Sequence, residues 1–251
     1  EAYHAVAGMG AVLHTLNVRL SPKDLEYIIN HAEDQVIIVD ADVLPLLEVL
    51  NGKIPCVRKV VVATEEGFEG WSTELPDPVD YEAFIEGQPT HFDWPQIDEN
   101  SPMGLCYTSG TTGHPKGVEY EHRSQYLHTL TQCMTDSMGL TGTDTVCGIV
   151  PMFHAMGWGI PWSALMLGCK QVMPHRFMDP ARLLDLMVAE KVTLSAGVPT
   201  IWQGVKGLYE ANPDAYDLSA LSRLTCGGSS PPPSLIRWFW DELDVEMIQG
   251  W

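Results

Sequence analysis

The chain has 251 residues, 45% of them apolar and 19% charged, enough to bury a sizeable core as one large domain or two small ones. Its 33 acidic residues against 14 basic ones leave a formal charge of −19; nucleic-acid and anionic-membrane surfaces need clustered Lys and Arg, so both are disfavoured. No apolar run reaches the ~18–20 residues of a bilayer span, and the six scattered cysteines suit no zinc site and read as reduced thiols of a cytoplasmic protein.

In chain order, "SPKDLEYIINHA" predicts a helix: Ser21 caps it, Pro22 fits its first turn, and Leu25, Ile28 and Ile29 share one face. "QVIIVD" reads as a strand covered on both faces, since it shows no alternation. A helix over Val43–Leu50 and the strand "KVVVAT" follow. From Thr64 to Ser101 the chain is rich in Pro, Gly and acid, and it is expected to be a surface excursion with one short helix at Tyr81–Ile85. Between Val60 and Pro115 there are eleven Asp or Glu and no Lys or Arg, the pattern of a solvated face.

"MGLCYTSG" and "KGVEYEH" predict two strands flanking a loop, and a helix is expected over His122–Ser137. The pattern then repeats: strand "TVCGIVP", helix Trp158–Leu167, strand "KQVMP", helix Pro180–Lys191, strand "TLSAGV", helix Pro199–Ala211, strand "SRLTCGG", helix Pro232–Leu243, strand "VEMIQG". Repeated β-α units call for an α/β fold of mainly parallel sheets flanked by helices, with ligands at the carboxyl ends of strands. The strand ends at Thr108, Pro151, Val198, Gly227 and Gly250 are therefore the candidates to line a cleft.

The loop itself is "YTSGTTGHPKG", Tyr107 to Gly117. Gly110, Gly113 and Gly117 let the backbone approach a ligand. Thr108, Ser109, Thr111 and Thr112 bring hydroxyl donors, free amides in such a turn cradle anions, and Lys116 adds one full charge. Two readings are open: a phosphate cradle, or a Gly/Ser/Thr hairpin that merely links two strands. It is not a Walker loop, because Lys116 follows Pro115 and leads into a strand rather than a helix.

The order of these residues closely resembles the phosphate loop of the adenylate-forming superfamily: acyl-CoA synthetases, peptide-synthetase adenylation domains and luciferases. "PMFH" (Pro151–His154) resembles its next motif, "GGSSPPPSLI" (Gly227–Ile236) its adenine-side loop, and "IQGW" (Ile248–Trp251) the start of its aromatic-Gly-x-Thr-Glu motif. "GMGAVLHTLNVRLS", "VPMFHAMGWGIPW" and "AGVPTIW" are similar to fatty acyl-CoA synthetases of the medium- and long-chain type. The resemblance covers the whole chain but only about the middle of a family member. It implies that residues 1–251 are part of the large N-terminal AMP-binding domain, incomplete and without the small C-terminal domain, and inactive alone.

The resemblance also implies a reaction and its residues. ATP and a carboxylic acid would give an acyl-adenylate and pyrophosphate, and CoA would then take the acyl group. Thr108, Ser109, Gly110, Thr111, Thr112 and Gly113 would cradle the β- and γ-phosphates beside Lys116, with Thr108 at a position that contacts Mg²⁺. Gly227, Gly228, Ser229, Gly250 and Trp251 would line the adenosine. His154 would lie near the reacting carboxylate. Trp158 would gate an acyl pocket walled by Gly157, Val198, Pro199 and Thr200, with the glycines beside Trp158 leaving room for a chain. His114 falls at a variable position with no assigned role. ATP, Mg²⁺ and CoA are the expected small molecules, and a homodimer is compatible with the family. The alternatives are an aryl or short sulfur-containing-acid CoA ligase, and a nucleotide-binding homologue without chemistry. A phosphotransferase would need an Asp/Asn constellation that the sequence does not offer.

Overall fold

The computed structural model describes residues 1–64, 70–108, 113–176 and 178–250. Contacts divide the chain into two units, Glu1–Glu121 and His122–Trp251. The first runs α1 (Ala2–Gly8), β1 (Leu13–His14), α2 (Pro22–Ala32), β2 (Val36–Asp40), α3 (Leu44–Glu48), β3 (Lys59–Ala63), β4 (Pro78–Asp80), α4 (Tyr81–Ile85), β5 (Pro102–Thr108) and β6 (Lys116–Glu121).

Helix α2 forms where its caps require. The Ser21 hydroxyl accepts the Asp24 amide at 3.2 Å, Pro22 opens the helix, and Glu33 ends it in the left-handed region. Its buried Leu25, Ile28 and Ile29 pack with Ile37, Val60, Val62, Leu44 and Leu47 as the core of this unit. The strands β2, β3 and β4 form one parallel sheet. In the other sheet β1 lies parallel to β5, and β5 pairs antiparallel with β6.

One expectation is corrected here. The continuous apolar run of β2 is not covered on both faces: Ile37 is buried, but Val36 and Ile38 are 53% and 42% exposed. The strand lies at the sheet edge, so burial alternates along it despite the uniform composition. Central β3 has the buried Val60, Val61 and Val62 instead. Within 64–101 the short helix α4 spans the expected residues, while β4 joins the sheet and Leu75 enters the core.

The second unit runs α5 (His122–Gln132), β7 (Thr145–Gly148), α6 (Ala155–Trp158), α7 (Ile160–Leu167), β8 (Lys170–Val172), α8 (Pro180–Glu190), β9 (Leu194–Gly197), α9 (Pro199–Ala211), β10 (Arg223–Cys226), α10 (Pro233–Leu243) and β11 (Glu246–Gln249). Its strands form a five-stranded, all-parallel sheet in the order β11-β10-β9-β7-β8. Central β9 is buried throughout. On one face Leu183, Leu184, Trp202 and Phe239 pack from the helices, and on the other Ile160 and Ala164 pack against Leu194 and Ala196. Two expected helices of this unit are shorter by two residues or more, as is α3 in the first unit, which spans only Leu44–Glu48 of the expected Val43–Leu50. The helix from His122 ends at Gln132, after which bonding passes to i→i+3 turns such as Met134 N–H to Thr131 O. The helix expected from Trp158 starts at Ile160, because a left-handed turn occupies the residues before it.

The amino edge of this sheet is fastened by a buried carboxylate. Asp144 Oδ1 accepts Thr193 Oγ1 at 2.6 Å, Oδ2 accepts the Thr141 amide at 2.8 Å, and the Arg223 guanidinium pairs with the carboxylate. Burial pushes the Asp144 carboxyl up, but the Thr193 and Thr141 hydrogen bonds and the Arg223 charge outweigh it, leaving the pKa below its ordinary value. A depressed carboxyl stabilises the fold above its unfolded pKa of about 4 and loses that contribution as pH falls. Asp144→Ala is expected to cost about 2–4 kcal/mol in denaturant unfolding at neutral pH, and to flatten the loss of stability below about pH 4.

Candidate active site

The first unit presents the loop motif as a hairpin. Thr108 at the end of β5 stands directly opposite Lys116 at the start of β6, and both side chains are exposed. Ser109, Gly110, Thr111 and Thr112 lie outside the described residues. Gly113 has φ 141, a left-handed value that favours glycine. A Cβ on Gly117 would sit 3.2 Å from the Leu105 side chain and 3.3 Å from the Tyr107 ring, so these two β5 side chains fold over the glycine just below the loop. Lys116 leads into strand β6, not a helix, which separates this hairpin from a Walker loop.

The second unit places four of the predicted strand ends along one edge, since all its strands are parallel and in register: Gly148 opposite Ala196, Cys226 opposite Gly197 and Gln249. The connection leaving β7 runs to β8, whereas the one leaving β9 runs the other way to β10. Open α/β sheets bind ligands at such a reversal, which here falls between the carboxyl ends of β7 and β9. Pro151–Trp158 follows β7 and Val198, Pro199 and Thr200 follow β9. Next along the edge, the Gly227 amide donates to Gly197 O at 3.2 Å and the Gly250 amide to Cys226 O at 2.8 Å. A Cβ on Gly228 would lie 3.2 Å from Val198 Cγ1. His154 and Ser229 are exposed, Val198 is half-buried, Pro199 is buried and Thr200 exposed. Trp251 lies outside the described residues.

The segment after β7 holds an unusual backbone. Ala155, Met156, Gly157, Trp158 and Gly159 all have φ between 44° and 71°. Only glycine adopts this region freely; each L-residue costs roughly 1–2 kcal/mol there. The turn is closed by Gly157 N–H to His154 O and Gly159 N–H to Met156 O. It delivers the half-buried Trp158 indole onto the backbone of Gly227, where a Cβ would stand 2.7 Å from the ring. The two glycines serve this backbone, and the space a side chain would take is already filled. A Cβ on Gly157 would meet Met152 Sδ at 3.1 Å, and one on Gly159 would meet His128 Nδ1 at 2.5 Å. The expectation that they make room beside Trp158 is corrected accordingly. Gly157 instead lines a small apolar pocket with Val150, Met152, Ile160 and Met173.

The supports of this turn are what sequence reasoning missed. Gln132 Nε2 donates to the Trp158 carbonyl at 2.5 Å. Gln125 and His128 sit against Gly159, and burial lowers the His128 pKa. Helix α5 is inverted: Gln125, Thr129 and Gln132 are buried while Tyr126, Leu127 and Leu130 are exposed. The signal was there, since Gln125, Thr129 and Gln132 repeat at helical spacing as one polar stripe.

Among the described residues no group of three His, Cys, Asp or Glu side chains could hold a metal ion. Thr108 offers one exposed hydroxyl, which fits an ion carried chiefly by phosphate oxygens rather than by a protein cage. Gly227→Ala is expected to displace Trp158 and cost about 1–3 kcal/mol in thermal unfolding. In a Trp158→Ala background the same change should cost less, because the contact at 2.7 Å is gone and only the Gly250 carbonyl at 3.2 Å remains.

A family model described as "AMP-binding enzyme" matches residues 1–251. The chain is 42% identical over its whole length to the medium-chain-fatty-acid–CoA ligase of Ectopseudomonas oleovorans, covering 45% of that protein. It is 41% identical to the 3-methylmercaptopropionyl-CoA ligase of Ruegeria lacuscaerulensis, covering 46% of it. Among solved structures, an anthranilate CoA ligase in complex with anthranoyl-AMP superposes with a TM-score of 0.85 at 25% identity, over all of this chain and 47% of that one. The chain thus spans about half the length of the relatives it matches. With the match running from its first residue to its last, this chain belongs to the family of AMP-binding enzymes.

Proposed function

We propose that the intact protein is an acid–thiol ligase that activates a fatty acid with ATP and transfers the acyl group to CoA. The observation that carries this reading is the hairpin, in which a glycine-rich, hydroxyl-rich loop is bracketed by the exposed Thr108 and Lys116. The similarity to a medium-chain-fatty-acid–CoA ligase supports the choice of acid. In the first step a carboxylate oxygen attacks the α-phosphorus, the bond to the β-phosphate oxygen breaks, and pyrophosphate leaves. Two anions must meet, so their charge has to be offset and their approach fixed.

Thr108, Ser109, Gly110, Thr111, Thr112 and Gly113 cradle the β- and γ-phosphates in this reading, and Lys116 offsets charge that builds on the leaving pyrophosphate. Mg²⁺, where bound, adds charge neutralisation, with Thr108 supplying one oxygen. Gly227, Gly228, Ser229, Gly250 and Trp251 receive the adenosine: the glycines let backbone approach the base, and an indole face stacks on it. His154, exposed at the head of the left-handed turn, attends the carboxylate. Trp158 gates the acyl pocket, with Gly157, Val198, Pro199 and Thr200 as its walls. In the second step the CoA sulfur attacks the acyl carbon and AMP leaves.

In the intact protein Lys116→Ala is expected to slow acid-dependent ATP–pyrophosphate exchange by about 10²-fold or more while leaving the far-ultraviolet spectrum unchanged. Unchanged exchange would remove the loop's assigned role. Trp158→Ala is expected to shift chain-length preference and the KM for the acid more than the KM for ATP; equal effects on both would remove the gate. A panel of fatty, aryl and sulfur-containing acids scored by pyrophosphate release ranks the substrates, and a preference for a short sulfur-containing acid would replace the fatty-acid assignment.

A further inference from the structure

Helix α2 touches both limbs of the phosphate hairpin. Its Tyr27 and His31 are four residues apart and so lie on one face. The Tyr27 ring stacks on His114 with centroids 4.3 Å apart and planes 20° apart. His31 Nδ1 lies 2.7 Å from the Tyr107 hydroxyl, and the two rings meet edge to face at 5.9 Å. Tyr107 belongs to β5, the limb that enters the loop, and His114 to the limb that leaves it. The two α2 rings also contact each other at 5.3 Å. Behind Tyr107 stands His14, whose ring lies 5.1 Å away. Its Nδ1 is 2.8 Å from the Asp34 carboxylate, two positions beyond the end of α2, in a pair with side chains 6% and 12% exposed. Burial, followed by the neighbouring Asp34 and Tyr27, raises the Tyr107 pKa, which keeps the phenol neutral.

These contacts are more than the packing of a helix on a sheet. The core side of α2 is Leu25, Ile28 and Ile29, all buried. His31 and His114 are exposed, where rings gain little from burial alone. What the pair adjusts is the relation between the two limbs. A glycine-rich loop loses much conformational freedom when it closes on a ligand, so fixing its ends beforehand reduces the cost of binding.

We infer that Tyr27 and His31 of α2 are positioning residues for the nucleotide, acting through His114 and Tyr107 to hold both limbs of the phosphate hairpin in binding register. This inference rests on the ligase reading. It is tested in the intact protein by ATP–pyrophosphate exchange, varying ATP and acid separately. Tyr27→Ala, His114→Ala and His31→Ala are each expected to raise the KM for ATP about five- to tenfold, the scale of one ring pair or hydrogen bond. The KM for the acid should change by less than about twofold, because no acid contact is lost. The Tyr27→Ala/His114→Ala double variant should be no worse than either single one, since both remove the same stack. Tyr27→Phe keeps the ring, and His31→Gln keeps a hydrogen-bonding group for Tyr107; both should return the KM for ATP toward the parent value.

His114 is exposed, so its variant probes the stack without opening the core, and thermal unfolding of every variant identifies any that fail to fold. A folded His114→Ala protein with unchanged KM for ATP, or additive effects in the double variant, would overturn the clamp. Lys116→Ala separates the two ideas. If it abolishes exchange while the α2 variants behave as the parent, the ligase reading stands and the clamp falls. If Lys116→Ala leaves exchange unaltered, the loop's phosphate role falls and takes the clamp with it; if the parent protein shows no acid-dependent exchange at all, the ligase reading itself falls.

Discussion

Parallel pairing is the constraint on which the second unit depends. Every strand from β7 to β11 runs the same way, so each connection must cross over through a helix, and all carboxyl ends gather at one edge. Because the order reverses between β7 and β9, two neighbouring connections part there, the place where open α/β sheets bind ligands. The two edges of the sheet then divide the work. At the amino edge Asp144, Thr193 and Arg223 tie β7, β9 and β10 together; at the carboxyl edge the backbone amides of Gly227 and Gly250 continue the ladder into glycine loops. In the proposed reading, stability and ligand chemistry are thus separated by the length of a strand.

Charge is arranged with similar economy. A chain with a net charge of −19 would repel a polyphosphate at long range. An anion can still bind where amides and hydroxyls point at it and a full positive charge stands close by, because such short-range donors act inside the screening length. Lys116 is the first basic residue after Lys59, and it projects from the hairpin strand. In the proposed reaction a single ammonium placed by a β-ladder does what a diffuse basic surface could not, which is to locate one phosphate rather than attract many.

Much of this was legible in the residue pattern, for identifiable reasons. The caps Ser21 and Asp179 and the helix-opening Pro22, Pro180 and Pro199 are local signals, and the helices begin where those signals stand. The hairpin pairing of β5 with β6 was legible because two strand-like runs flank a glycine-rich segment; the phosphate role of that segment belongs to the proposal. The exposure of Val36 and Ile38 was not, because composition does not tell an edge strand from a central one. Nor was the left-handed run from Ala155 to Gly159, since Ala, Met and Trp carry no local preference for positive φ. Tertiary support from Gln132 overrides propensity there. The stack of Tyr27 on His114 joins residues far apart in the chain, and nothing in either neighbourhood announces the other.

If the proposed acyl pocket were recast for other acids, the left-handed run would constrain which residues its lip accepts. Ala155, Met156 and Trp158 tolerate their dihedrals only because the surroundings hold them. A randomised library would therefore find two selections entangled at the same codons. Valine or isoleucine would fail through the main chain before its shape was ever sampled by an acid, whereas asparagine or glycine would relax the main chain and blur the pocket's outline. Diversity is better introduced at Val198 and Thr200, where the backbone is ordinary and only the side chain is under examination.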